Sequence, residues 1–263
     1  MTGPLPLPYD PIAHLRTDGV KFLEIVADHG FDHTVPSCPE WTLGDLTWHL
    51  GGIWNRFARV VAERIATRDA WAELPRPQRP GDELLLDWVT AAHTSLVSAL
   101  TRAEPDQEVG TWAGTKNARW VERRMTQETA LHRWDAAHAV GLPYELPVAV
   151  AADGIDEFLV RWFSGAPHEG VEPVGGSVHL HCTDIDEHHA EGSDDRTKAG
   201  GEWLVSSVDA SGATLTREHA KGDAAVRGRA HDLLLWLWRR DGDPVEIIGD
   251  TEVAERFRAF ADL

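Results

Sequence analysis

Cysteine is scarce: the 263-residue chain carries two, Cys38 and Cys182. They form no CxxC pair, and a single possible disulfide is a thin framework for a secreted protein of this length. The expectation is reduced thiols in a cytoplasmic protein. Basic residues are also few, 25 Lys and Arg against 43 Asp and Glu, for a formal net charge of −18. Such a surface repels nucleic-acid phosphate and anionic lipid, so neither nucleic acid nor membrane is expected as a partner. An anionic substrate would need a local cationic pocket. No apolar run approaches the ~20 residues of a membrane span, and the opening MTGPLPLPYDP has neither a basic n-region nor an apolar h-region, so no signal peptide is expected. The chain also lacks a P-loop, a GxGxxG between strand and helix, and a GxSxG elbow. Nucleotide binding and elbow-type serine hydrolysis are left without support.

What is present is helical periodicity in the first half. Ile12, Leu15, Phe22 and Val26 recur at helical spacing from about Pro11 to His29. After the proline-marked loop VPSCPEW, Thr42 precedes Leu43 with Asp45 three residues on, an N-cap arrangement. The helix it opens is expected to reach about Thr67, with Leu46, Leu50, Ile53 and Phe57 on one side. A third is expected from about Asp82 to Arg102, and a fourth from near Arg119 to the Gly141-Leu142-Pro143 stop. Four helices make an antiparallel bundle the leading architecture. Past Pro147 the texture changes: a helix near 150–163, half-buried strands at VHLHCT, EWLVSS, ATLTRE and AAVRGR, the helix HDLLLWLWRR, a short strand VEII and a last helix. The fold class is therefore α+β, a helical bundle over 1–147 and a smaller α+β domain over 148–263. The acidic stretch DIDEHHAEGSDDRTKAGG, with His188 and His189, is read as a solvated, mobile loop.

The segment ETALH sets Glu128 four residues before His132, on one helix face and about 6 Å apart along the axis. Val121 and Met125 continue that stripe, so the pair is expected to point into the bundle, where a bare carboxylate needs charged partners or a metal. His49, three residues after Leu46 and four before Ile53, belongs to a second buried face. If the two faces meet, His49, Glu128 and His132 supply three ligands and leave a fourth position open, the pattern of a catalytic metal site. Asp135 and Asp45 are candidate outer partners for the imidazoles. The same residues also read as a hydrogen-bonded core histidine and a surface ion pair, and spacing alone leaves both open. The tryptophans, Trp48, Trp54, Trp134, Trp236 and Trp238 among them, fit packing better than base stacking. Arg239 and Arg240 close an apolar helix, where cations complement the dipole; an arginine there could also grip a substrate carboxylate.

The stretches VPSCPEWTLGDLTWHLGG, QETALHRWDAAHAVG and DLLLWLWRRDGD resemble the mycothiol-dependent maleylpyruvate isomerase family of actinobacteria, over nearly the whole chain. The resemblance implies a DinB-like four-helix bundle holding a divalent metal, usually zinc, through His49, Glu128 and His132. Nickel, iron and manganese suit such ligands as well. It also implies a carboxy-terminal arginine that serves the reaction, with Arg240 the nearest match and Arg239 the fallback. The implied cofactors are the metal and mycothiol, a low-molecular-weight thiol whose sulfur takes the open position as a thiolate. That thiolate would add to an activated double bond of a small carboxylate-bearing or electrophilic substrate, giving an isomerase, or an S-transferase if the adduct leaves. Two other readings stand beside it: a hydrolase using metal-bound water, and a non-catalytic ligand-binding module. The acidic stretch after Asp184 is longer than the compact family pattern.

Overall fold

A computed structural model describes residues 7–163, 173–185, 201–209 and 212–260. The chain folds as two compact units, Asp10–Glu145 and a second from Leu146 onward that also takes Tyr9. The amino-terminal unit is helical and the carboxy-terminal unit smaller and strand-rich. The acidic stretch with His188 and His189 lies outside the described residues.

The first unit is built on four long helices: α1 (Pro11–His29), α2 (Leu43–Ala62), α4 (Asp82–Arg102) and α5 (Ala118–Ala139). A short α3 (Arg68–Glu73) lies just past the Thr67 end that periodicity assigns to α2, where no helix is expected. Neighbours around the bundle run α1, α4, α2, α5 and back to α1, so α1 lies diagonal to α2, and α4 to α5. The two diagonal crossings are made by hairpins where the sequence pattern suggests only loops, β1–β2 (Thr34–Val35, Cys38–Thr42) and β3–β4 (Glu108–Thr111, Gly114–Asn117). Each is too short and too polar to show an alternating pattern, and Gly114, at φ 89°, makes the tight turn of the second.

Each long helix forms for local reasons. Asp10 and Asn117 cap α1 and α5 through their side chains. Thr42 and Asp45 form a complete capping box at the start of α2, each side chain meeting the other's backbone N–H. The apolar faces then close on a core in which Leu15, Phe22, Leu50, Trp54, Phe57, Val89 and Leu96 are essentially inaccessible. Close helix approach depends on two glycines. A Cβ on Gly19 would stand 2.1 Å from the His93 ring, and one on Gly51 would stand 2.6 Å from Val89.

The second unit places α6 (Val148–Phe163), α7 (Ala230–Leu237) and α8 (Thr251–Phe260) against a five-stranded sheet ordered β7-β6-β5-β8-β9. The strands are β5 (Val178–Cys182), β6 (Glu202–Asp209), β7 (Gly212–Thr216), β8 (Ala224–Gly228) and β9 (Glu246–Gly249). Among the described residues only β5 and β8 pair in parallel. Val178, Leu180, Cys182, Trp203 and Val226 are buried, and the Trp203 indole donates to Asp156 of α6. Among the described residues no helix is long and apolar enough to cross a membrane.

Removing the box at α2 should weaken the bundle. Thr42→Ala is expected to lower unfolding free energy by about 1 kcal/mol, measured as a shift of the urea midpoint at unchanged slope. An unmoved midpoint would show that the cap contributes nothing.

Candidate metal centre

Because α2 and α5 are neighbours in the bundle, the two polar stripes face each other. Their register is pinned by a buried hydrogen bond from the Trp54 indole on α2 to Thr129 Oγ1 on α5, one residue past Glu128. The Glu128 Oε1 atom lies 3.5 Å from His49 Nε2 and 3.3 Å from His132 Nε2. The two imidazole rings meet edge to face with centroids 5.1 Å apart, and one donor atom from each residue lies within 4.8 Å of the others. Ligand bonds of about 2.0–2.2 Å in a tetrahedron put neighbouring donors about 3.3–3.6 Å apart. The two measured edges through Glu128 match that spacing.

The surroundings orient these groups. His132 Nδ1 pairs with Asp135 Oδ2 at 2.9 Å, which turns Nε2 toward Glu128. Asp135 is in turn fixed by Ser37, whose hydroxyl donates to Oδ1 at 2.6 Å from the connection before β2. A carboxylate behind a ligating imidazole holds the ring's tautomer and aim. The outer oxygen of Glu128 accepts from Arg124 Nη2 at 2.8 Å, one turn earlier on α5. From β2, the Trp41 ring packs on the His49 ring of α2 with centroids 4.9 Å apart.

Charge is concentrated at this spot. Burial works against the Glu128 carboxylate, but hydrogen bonds from His132 and His49 and the Arg124 guanidinium outweigh it and hold the group well below the ordinary carboxylate range. Burial likewise opposes a charged His132, yet Asp135 and Glu128 push that imidazole up to about 9.

Asp45 stands apart from this arrangement. It was expected as an outer partner of His49, but its carboxylate accepts from the backbone and hydroxyl of Thr42 and serves as the cap of α2. Arg124, Ser37 and Trp41 were missed. Arg124 carried a usable signal, since it precedes Glu128 by four residues; Ser37 and Trp41 are brought in by a hairpin that sequence did not reveal. In the second unit, Arg239 donates to the carbonyls of Arg258 and Ala259 at the end of α8. Arg240 Nη1 donates to Trp238 O and its guanidinium lies beside the Trp238 ring. Neither cysteine is in a disulfide. Burial raises the Cys182 thiol far above its ordinary value, reinforced by Asp184 and Glu202, so it is a poor nucleophile.

The fold and this site define a two-part α+β protein whose bundle carries a three-donor, metal-compatible cluster. Family models agree on what it is. The mycothiol maleylpyruvate isomerase N-terminal domain matches residues 12–137 and the C-terminal domain of the same family matches residues 146–256. The chain belongs to the mycothiol-dependent maleylpyruvate isomerase family. It is similar to the crystal structures of the mycothiol-dependent maleylpyruvate isomerase and of a histidine-to-alanine mutant of that enzyme. Both are 15% identical, cover 90% of this chain and 91% of theirs, and give TM-scores of 0.55 and 0.56. At that identity the likeness establishes the fold. No curated protein sequence matches the chain.

The sign of the His132 shift gives a pH prediction for the metal-free protein. A pKa raised on folding contributes stability that is complete below the unfolded value, 6.5, and is lost as pH rises through about 9. Metal-free protein should therefore lose stability across that window, and His132→Ala should flatten the profile. Parallel profiles for the two proteins would refute the assignment. Metal uptake should strengthen over the same window with proton release, because a ligating imidazole must be neutral.

Proposed function

We propose that the chain is a metal- and mycothiol-dependent isomerase or S-transferase, acting on a small carboxylate-bearing or electrophilic substrate. The observation that carries this reading is the approach of His49 and His132, from two helices, to one oxygen of Glu128. A divalent ion, zinc for preference, fits that donor set and would supply Lewis acidity that keeps a bound thiol ionised near neutral pH.

The chain's own residues have separable tasks in this scheme. His49, Glu128 and His132 provide donors. Asp135, braced by Ser37, fixes the aim of His132. Arg124 keeps Glu128 ionised and directs its other oxygen to the two imidazoles. Arg240, the nearest match to the family's arginine, is the proposed anchor for a substrate carboxylate, with Arg239 the fallback; each guanidinium also donates to main-chain carbonyls. A guanidinium supplies the local positive charge that an acidic chain withholds elsewhere. The sulfur comes from the cofactor, in keeping with the suppressed ionisation of Cys182.

The hydrolase reading is weaker, because both carboxylates of the bundle site already have partners: Glu128 has Arg124 and the histidines, and Asp135 has Ser37 and His132. Neither is placed as a spare general base.

His132→Ala is expected to abolish metal retention at the bundle site and thiol-dependent turnover together, while Asp135→Asn should weaken metal affinity there about 10–100-fold. Arg240→Gln should raise KM for the substrate with metal content unchanged. Full turnover by His132→Ala protein whose bundle site holds no metal, or turnover of wild type that is indifferent to added mycothiol, would overturn the reading.

A further inference from the structure

A second cluster of imidazoles lies in the carboxy-terminal unit and is untouched by the reading above. Side chains alternate along a strand, so His179 and His181 of β5 share one face while Val178, Leu180 and Cys182 take the other. The antiparallel register sets Glu202 of β6 directly opposite His181 and Leu204 opposite His179, which puts the carboxylate on the same face as both rings. His219, in the connection between β7 and β8, closes over them: its ring centroid lies 5.4 Å from that of His179.

We propose that His179, Glu202 and His219 form a second divalent-metal site, suited to zinc or a similar borderline ion, that ties β5 and β6 to the connection after β7. Glu202 is 6% exposed, too buried for a carboxylate to lie uncompensated. Its Oε1 is 2.6 Å from His181 Nδ1, and its Oε2 is 2.9 Å from His219 Nδ1. His179 is equally buried, and its Nε2 faces Oε2 from 3.9 Å, too far for a hydrogen bond. That nitrogen has no hydrogen-bond partner among the described residues. A buried imidazole nitrogen without a partner calls for an explanation, and a missing ion is one of the few available.

The geometry suits an ion. One donor atom from each of His179, Glu202 and His219 lies within 4.8 Å of the other two, the same bound as at the bundle site. His181 would hold the carboxylate from behind, as an outer partner does at a metal. Two donors are buried, whereas the His219 side chain is 77% exposed, so the cluster opens to solvent on one side and a metal can enter there. Cys182, although adjacent in sequence to His181, belongs to the opposite face and is no ligand.

The test uses tag-free, full-length protein dialysed against zinc, with bound metal measured by elemental analysis. To clear the bundle site, the background is His132→Ala, with His49→Ala as the alternative should that variant fold poorly. Either background is expected to retain about one zinc per chain and to gain thermal stability with zinc. Adding His219→Ala, an exposed position that circular dichroism should show still folded, is expected to remove both the metal and the gain; His179→Ala should do the same. Zinc-free single variants would overturn the site, and so would zinc that persists after His179 and His219 are both replaced. Because the readout is the dependence on His179 and His219, it does not rely on the bundle site holding metal.

Discussion

Glu128 is the constraint around which the amino-terminal unit is arranged. A carboxylate inside a helical bundle is tolerated only if its charge is met, and here it is met on both oxygens: Arg124 from the same helix on one, and imidazoles from α2 and α5 on the other. Meeting it requires α2 and α5 to be neighbours in a fixed register. The Trp54–Thr129 hydrogen bond, the capping box that starts α2 and the diagonal hairpin crossings serve that requirement. The hairpin before α2 also brings Ser37 to Asp135, so the chain's route between helices helps orient the site.

The helices were legible because their signals are local. Pro11 and the 3.6-residue apolar stripes put the limits of α1 and α4 where the structure has them, and the Thr42 box put the start of α2 there too. The end of α2 was misjudged by several residues, since the stretch after Ala62 continues with a separate short helix whose cap, Thr67, looks like more of the same sequence. The hairpins were invisible: strands of two to five residues with polar members carry no usable alternation. In the second unit the order of strands and helices followed the pattern of apolar runs, but the sheet order with β5 central did not. Non-local pairing leaves little mark on any one segment.

For the bundle site, the three proposed donors were named from spacing because a polar residue on an apolar helical face is conspicuous. The outer residues were a different matter. Asp135 was reachable by its i+3 offset from His132, while the same argument misled for Asp45, where helix capping wins over contact with His49. The histidines of β5 show the opposite failure: His-x-His in a strand places two rings on one face, yet their significance depends on Glu202 and His219, which only the sheet register and a loop bring near. The two clusters share a His/Glu/His composition on unrelated scaffolds, one across helices and one across strands.

The central claim is that His49, Glu128 and His132 hold one divalent ion with a vertex open to a thiol. X-ray absorption at the zinc edge reads this directly, using His179→Ala protein loaded with one equivalent of zinc and then given mycothiol. The expected spectrum has only nitrogen and oxygen neighbours before the thiol and gains one sulfur at about 2.3 Å afterwards. A first shell that stays free of sulfur at saturating thiol would contradict the claim.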